Sequence, residues 1–386
     1  MAQRYNPTLD GIRGLAILAV LLTHGNFLFE KTPATKWFLA PMVFGWCGVD
    51  LFFVLSGFLI TGILFETRAA TNRARSFYGR RFLRIFPIYY LTLVVVLGAG
   101  TLYPRLGAAL QFPAWPGRLA YFLYLQNYLG LPGSSLHRAL MLGHFWSLAV
   151  EEQFYLVWPL LVWSLSSRLM LRICIAGAAG ALVLRIFLVH HFGPHLWIHQ
   201  LTMTRGEGLL IGSALAILAA EGKRISPRLL VSMALAGGSA LLFILLIDRR
   251  EFLNTNAGPY MYTLGVSGLG LLFGALVGSS QYTVPGLTHF LNGSVLKSFG
   301  KYSYGIYVYH IPIIWCVKKA LHRGGISIPV PTVYSFAGLA ALIAVSWGVA
   351  WISYQLIEGK FLRMKRRFEP AYAAATENRR AAIAGV

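Results

Sequence analysis

The chain has 386 residues, of which 56% are hydrophobic and only 12% charged. A soluble domain carries about 25% charged residues, so this composition excludes an ordinary water-soluble fold and points to lipid as the surrounding medium. The formal net charge of +21 does not indicate a nucleic-acid partner, because the Lys and Arg residues sit in connectors and in the C-terminal tail, between long apolar runs.

In chain order, the first apolar run, Leu15 to Phe29, has Arg13 at its entry and contains His24. It shows no small-residue cleavage site, and it is read as a retained first span rather than a signal peptide. A helix crossing a bilayer needs about 20 mostly apolar residues. Stretches of that kind lie near 12–29, 43–65, 85–103, 145–165, 171–190, 206–221, 229–247, 259–279, 302–320 and 333–357. A shorter stretch, Leu119 to Leu131, carries Asn127 between Pro116 and Pro132 and is expected to be re-entrant or interfacial. The sequence therefore predicts an all-α, polytopic membrane bundle of about ten transmembrane helices over residues 1–363, followed by a basic, peripheral tail over 364–386. Ten spans put both termini on one side. With the N-terminus inside, the inner connectors, tail and N-terminus hold 21 Lys and Arg and the outer connectors 10. That bias predicts cytoplasmic termini. Cys47, Cys174 and Cys316 are widely spaced and suggest neither a disulfide framework nor a metal site; no metal is expected, and the sequence offers no handle on oligomeric state.

Ionisable residues inside apolar runs are costly, about 2.5–3.5 kcal/mol at a bilayer centre on insertion scales, and so mark candidate chemistry. Arg13 and His24 are eleven residues apart in one predicted helix, which returns them to one face with a separation of ~16–17 Å. Asp10, three residues before Arg13, is close enough to pair with it. His24 is the side chain best suited to general-base work near neutral pH. Glu151 and Glu152 point about 100° apart on a helix. One is expected to face a cavity and hold the His24 ring, and the other to pair with a structural Arg, either Arg185 or Arg205. Arg81 and Arg84, in the first long inner loop, face one way if helical and could bind phosphate by paired hydrogen bonds, or else simply anchor the loop. His310 is either a second site histidine or a hydrogen-bonded core residue, in a helix that Pro312 is expected to loosen.

The combination resembles the membrane acyltransferase-3 family. The resemblance is carried by Asp10-Gly11-Ile12-Arg13-Gly14 followed by His24, by the run Val49 to Ile60 that contains Asp50, and by Arg81…Arg84-Ile85-Phe86-Pro87. It continues through Trp146-Ser147-Leu148…Glu151-Glu152-Gln153-Phe154-Tyr155 and Ser303-Tyr304-Gly305-Ile306-Tyr307…His310. These occur in the family's order from residue 8 to about 357. The resemblance implies a bacterial inner-membrane enzyme that O-acylates extracytoplasmic carbohydrate or glycolipid acceptors, commonly with acetyl groups from acetyl-CoA. It also implies an essential Arg and His on the first helix, here Arg13 and His24. Some members carry a C-terminal soluble hydrolase-like domain. The chain runs about thirty residues past its last expected span, so no such domain is expected in it.

On this reading acyl-CoA is a donor substrate and no cofactor is held permanently. Arg13, Arg81 and Arg84 bind the donor, His24 acts with Glu151 or Glu152, and Asp10, Asp50, Trp146, Ser147, Arg205 and His310 support the site or face the acceptor. A transient acyl-histidine is the competing form of the mechanism. A proton- or ion-coupled transporter is the rival class, although no matched pair of Gly/Pro-broken helices is visible in two halves. A non-enzymatic membrane anchor would leave the deep Arg, His and Glu residues without a role.

Overall fold

The structure is a computed structural model and describes residues 6–32, 35–109, 111–132, 139–220, 224–248, 258–326, 328–330 and 332–372. The tail from residue 373 onward lies outside these, as do Arg4, Arg138, Lys223, Arg249, Arg250, Arg379 and Arg380 of the charge count. Each segment expected to span the membrane is helical. In order they are α1 (Pro7–Gly25), α2 (Gly48–Glu66), α3 (Arg73–Leu102), α4 (Trp146–Ser164), α5 (Ser167–Phe192), α6 (Glu207–Ala220), α7 (Pro227–Ile247), α8 (Val266–Ser279), α9 (Ser294–Arg323) and α10 (Thr332–Ser353). Among the described residues there is no β-strand, only an isolated bridge between Phe29 and Val330. The protein is an all-α, multi-pass membrane bundle.

Seven segments are long and apolar enough to cross a membrane on their own composition. The other three are α4, α6 and α9. In α4 the Glu151-Glu152-Gln153 run depresses the apolar signal, in α9 Lys297, Lys301 and the closing basic residues do so, and α6 has only 14 residues. Peripheral helices present apolar side chains outward, as Ile175, Val183 and Phe187 of α5 and Leu235, Leu242 and Leu246 of α7 do. Polar groups instead point to the bundle interior, where neighbouring helices can satisfy them.

Two expected boundaries move. The basic segment read as an inner loop is the first part of α3, which starts at Arg73 and runs through Pro87, so Arg81 and Arg84 are helical residues. Likewise α9 begins at Ser294 and continues unbroken past Pro312. An apolar window stops at charged residues, whereas a helix continues wherever those side chains find an interior to face. The 119–131 stretch does not span. It forms a short helix, Trp115–Phe122, and a 3-10 turn, Gln126–Tyr128, whose Gln126 and Asn127 are buried. Gln153 of α4 donates to Asn127 Oδ1 at 2.9 Å and to Tyr124 O at 2.7 Å. The connection is tied to α4, so its irregular backbone is covered by protein.

Candidate active site

A cavity of about 810 Å³ runs through the bundle. One wall is a face of α2, with Val49, Phe52, Phe53, Ser56, Leu59, Ile60, Ile63 and Glu66, continued by Thr67 just past its end, following the three-and-four spacing of a single helical stripe. At 1.5 Å per residue that stripe is ~27 Å long. The facing walls carry Arg80, Arg81 and Arg84 from α3, Ser147, Glu151, Glu152 and Tyr155 from α4, Ser303, Tyr304 and Tyr307 from α9, and Arg13 from α1. The cavity thus brings together six of the residues singled out from sequence: Arg13, Arg81, Arg84, Ser147, Glu151 and Glu152.

One end is cationic. Arg13 Nη1 lies 2.6 Å from Asp10 Oδ1, the expected pairing across one helical turn. The Arg81 guanidinium sits 5.4 Å from the ring centre of Tyr155, whose hydroxyl is hydrogen-bonded to Ser56. A second cavity of about 530 Å³ shares Arg13, Arg84 and Tyr304 with the first and adds Lys297 and Lys301. Arg13 and Arg84 therefore face two adjoining spaces, both rich in cations.

The other end closes on hydroxyls and imidazoles. Ser147 Oγ and Tyr307 Oη are 2.5 Å apart, and Tyr307 donates to His144 O at 2.9 Å. Behind Tyr307 the His144, His310 and His24 rings form a row, with successive centroids 4.9 Å apart in edge contact. His24 Nδ1 is 2.9 Å from Val20 O and His310 Nδ1 is 2.6 Å from Tyr307 O. A carbonyl only accepts, so each Nδ1 carries the proton and each Nε2 keeps its lone pair. His310 Nε2 and both ring nitrogens of His144 are buried without a hydrogen-bond partner. Buried polar atoms are rarely left so, and groups of this kind need an explanation. Among the described residues no group of three or more His, Cys, Asp or Glu is arranged to hold a metal ion.

The structure revises two expected pairings. His24 does not line the cavity that Arg13 lines, because His310, His144 and the Ser147–Tyr307 pair stand between. The sequence could place both residues on one helical face, but not what packs against that face. Nor does a structural Arg take one of the two carboxylates. Both Glu151 and Glu152 line the cavity, and the ion pairs among the described residues are Asp10–Arg13, Arg185–Glu207 and Asp50–Arg205. Arg185, fully buried, binds Glu207, Ser267 Oγ at 2.7 Å and Thr204 O at 2.5 Å. Arg205 Nη1 is 2.8 Å from Asp50 Oδ1, and its guanidinium lies over the Phe53 and Trp146 rings at 5.8 and 5.6 Å. Asp50, Trp146 and Arg205 thus form a buried pair and its aromatic cover behind the α2–α4 wall. His144 and Tyr307 were not singled out from sequence. Tyr307 stands inside a motif that was, and His144 two residues before another, but nothing linear shows that the two motifs meet.

A family profile described as Acyltransferase domain (Acyl_transf_3) matches residues 6–351. The chain is 30% identical over 383 residues to Peptidoglycan O-acetyltransferase OatA of Listeria monocytogenes, covering 92% of this chain and 56% of that protein. It is 31% identical over 374 residues to O-acetyltransferase OatA of Staphylococcus aureus, with 92% and 57% covered. It is 29% identical over 372 residues to Putative peptidoglycan O-acetyltransferase YrhL of Bacillus subtilis, with 92% and 54% covered. The chain spans a little over half the length of these curated relatives. No solved structure matches it. With most of its length matched, including the helices that enclose the cavity, the chain belongs to the Acyl_transf_3 acyltransferase domain family.

Proposed function

We propose that this protein is an O-acetyltransferase of the cytoplasmic membrane, with both termini in the cytoplasm. It takes acetyl groups from acetyl-CoA and passes them to hydroxyls of peptidoglycan or a related extracytoplasmic carbohydrate. One observation carries the reading: a single long cavity is cationic at one end and closes at the other on a Ser–Tyr pair backed by three histidines. An acyl-CoA has a matching shape, with an anionic nucleotide end, a long uncharged arm and a thioester. The guanidiniums of Arg13, Arg81 and Arg84 bind the phosphates, since planar forks suit phosphate oxygens. The arm follows the apolar stripe of α2 and brings the thioester to Ser147 and Tyr307.

The acceptor hydroxyl meets the thioester beside the Ser147–Tyr307 pair, at the end of the cavity that the histidine row backs. Its oxygen attacks the thioester carbon, the C–O bond forms and the C–S bond breaks. The hydroxyl proton passes into the histidine row, entering at His144 beside the Ser147–Tyr307 pair and resting at the far end on His24 Nε2, and the CoA thiolate is protonated in turn, so that an ester and a free thiol leave. Glu151 or Glu152, along the cavity wall, hands the thiolate its proton and regains one from the histidine row. The His24–His310–His144 row holds the transient positive charge, which accounts for the unpartnered ring nitrogens. Direct transfer needs no acyl-histidine.

The test uses the purified chain in lipid nanodiscs with radiolabelled acetyl-CoA and peptidoglycan fragments. His24→Ala is expected to lower acetyl transfer by at least about a hundredfold while CoA binding is kept, as loss of a general base does. Undiminished transfer by that variant would refute the assignment.

A further inference from the structure

The tail over residues 364–386 is expected to be peripheral, and its described part, residues 364–372, is pinned to the helix ends beside the large cavity. Residues Tyr354–Glu358 and Gly359–Arg363 continue α10 as a π-turn and a short helix, and Met364–Phe368 tighten into a 3-10 turn. In that basic run Arg363, Arg366 and Arg367 are exposed, whereas Lys365 is half-buried and lines the large cavity together with Pro370 and Tyr372.

The segment is fastened at several points. Ser76 Oγ donates to Phe368 O at 2.7 Å, and Thr71 N donates to Ala371 O at 2.9 Å. Asn72 occupies the N-cap of α3, yet its side chain makes no capping bond. Instead its Nδ2 donates to Glu369 O at 2.9 Å and its Oδ1 accepts from Ala371 N at 2.8 Å. A cap forgone in favour of a remote backbone is a mark of a specified contact, because an Asn cap alone is worth about 1 kcal/mol. The Phe368 ring lies against Gly79, where a Cβ would come within 2.2 Å of it. Tyr372 Oη reaches Glu66 O at 3.4 Å, at the end of α2. The segment therefore crosses from α10 to the adjoining ends of α2 and α3, over the cationic end of the cavity.

Lys365 is in none of the ion pairs among the described residues, and with Arg13, Arg80, Arg81 and Arg84 it gives the cavity an excess of cations over the carboxylates of Glu66, Glu151 and Glu152. Gathering like charges in a partly desolvated space is unfavourable until an anion joins them, and the same field attracts that anion. We propose that residues 364–372 form a strap across the mouth of the cavity, and that Lys365 is a donor-binding residue that contacts the phosphates of CoA. This rests on the CoA-donor reading above. It adds a part of the site that lies beyond residues 6–351, the stretch matched to the family.

Binding of CoA and of pantetheine, which lacks the nucleotide and all phosphates, would be compared on the purified full chain in nanodiscs. Lys365→Ala is expected to weaken CoA binding about tenfold, the loss of one charge-assisted contact, and to leave pantetheine binding unchanged. Lys365→Arg restores CoA affinity to within about threefold. Asn72→Ala, which releases the strap and removes no charge, also weakens CoA several-fold. If Lys365→Ala binds CoA normally while Arg81→Ala is weakened tenfold, the strap proposal is overturned and the donor reading stands. A Lys365→Ala defect that Arg does not restore, or that affects pantetheine equally, assigns the effect to packing and also overturns it. If the wild-type chain binds CoA no better than pantetheine, the donor reading itself falls, and the strap proposal with it.

Discussion

At the scale of single residues, the interior is organised by which charge meets which. Asp10, Asp50 and Glu207 each have an arginine, whereas Glu151 and Glu152, in no ion pair among the described residues, line the open cavity. Of the three pairs, Arg185–Glu207 and Asp50–Arg205 join different helical elements, whereas Asp10–Arg13 lies within α1 at the cavity. The Asp50–Arg205 pair is buried and otherwise faced by the rings of Phe53 and Trp146. Removing one partner of a buried pair leaves an uncompensated charge, at a cost of about 3–5 kcal/mol. Arg205→Ala is therefore expected to lower the melting temperature and folded yield of the detergent-purified chain markedly. The double change Arg205→Ala with Asp50→Leu should recover much of the loss. Equal melting of Arg205→Ala and wild type would show that the pair does not hold α2 to the turn before α6.

Between elements, two helix crossings bring backbones close together. In the α1–α9 crossing a Cβ on Gly300 would fall 1.8 Å from Asp10 O, and in the α2–α6 crossing one on Gly212 would fall 1.9 Å from Val54 O. Small residues let backbones approach in this way, and in lipid van der Waals packing takes over from the hydrophobic effect as a source of helix association. The α1–α9 contact brings Arg13 and His24 against Tyr304, Tyr307 and His310, so it sets the distance between the cavity wall and the histidine row. Gly300→Ala must push α1 and α9 apart, at a cost of ~1–3 kcal/mol for overpacking, and should reduce both thermal stability and acetyl transfer. Gly180→Ala in α5, where a Cβ meets nothing within 4 Å, is the control and should leave both unchanged. A Gly300→Ala chain with wild-type melting and transfer would contradict the account of this crossing.

For the whole molecule, the question is which way the cationic end of the cavity faces. The proposed topology, with both termini in the cytoplasm, requires α6 to cross, although it rises only ~21 Å over its 14 residues. It can do so because it is enclosed by α2, α5 and α8 rather than by lipid. The proposed orientation predicts that reporters fused after residue 386 or in the α2–α3 connector are active only in the cytoplasm. A reporter placed between α1 and α2 should be active only outside. A C-terminal reporter active on the outer side would place the cationic mouth away from cytoplasmic CoA and defeat the donor assignment.

Composition and apolar run length were enough to establish a multi-pass helical membrane protein, because a hydrocarbon solvent admits few other ways to satisfy a backbone of this kind. Scarcity of charge was enough to single out Arg13, Glu151 and Glu152, since each needs a reason to sit beside or within an apolar run, and three-residue spacing was enough to single out Arg81 and Arg84. The partners of those residues were decided elsewhere. That Arg205 takes Asp50, that both glutamates stay in the cavity, that His24 stacks on His310 behind Tyr307, and that Lys365 returns to the mouth all follow from contacts between helices far apart in the chain. Helical periodicity fixes which side chains share a face of one helix. Only the crossing of helices, set by where backbones can approach, fixes what that face meets.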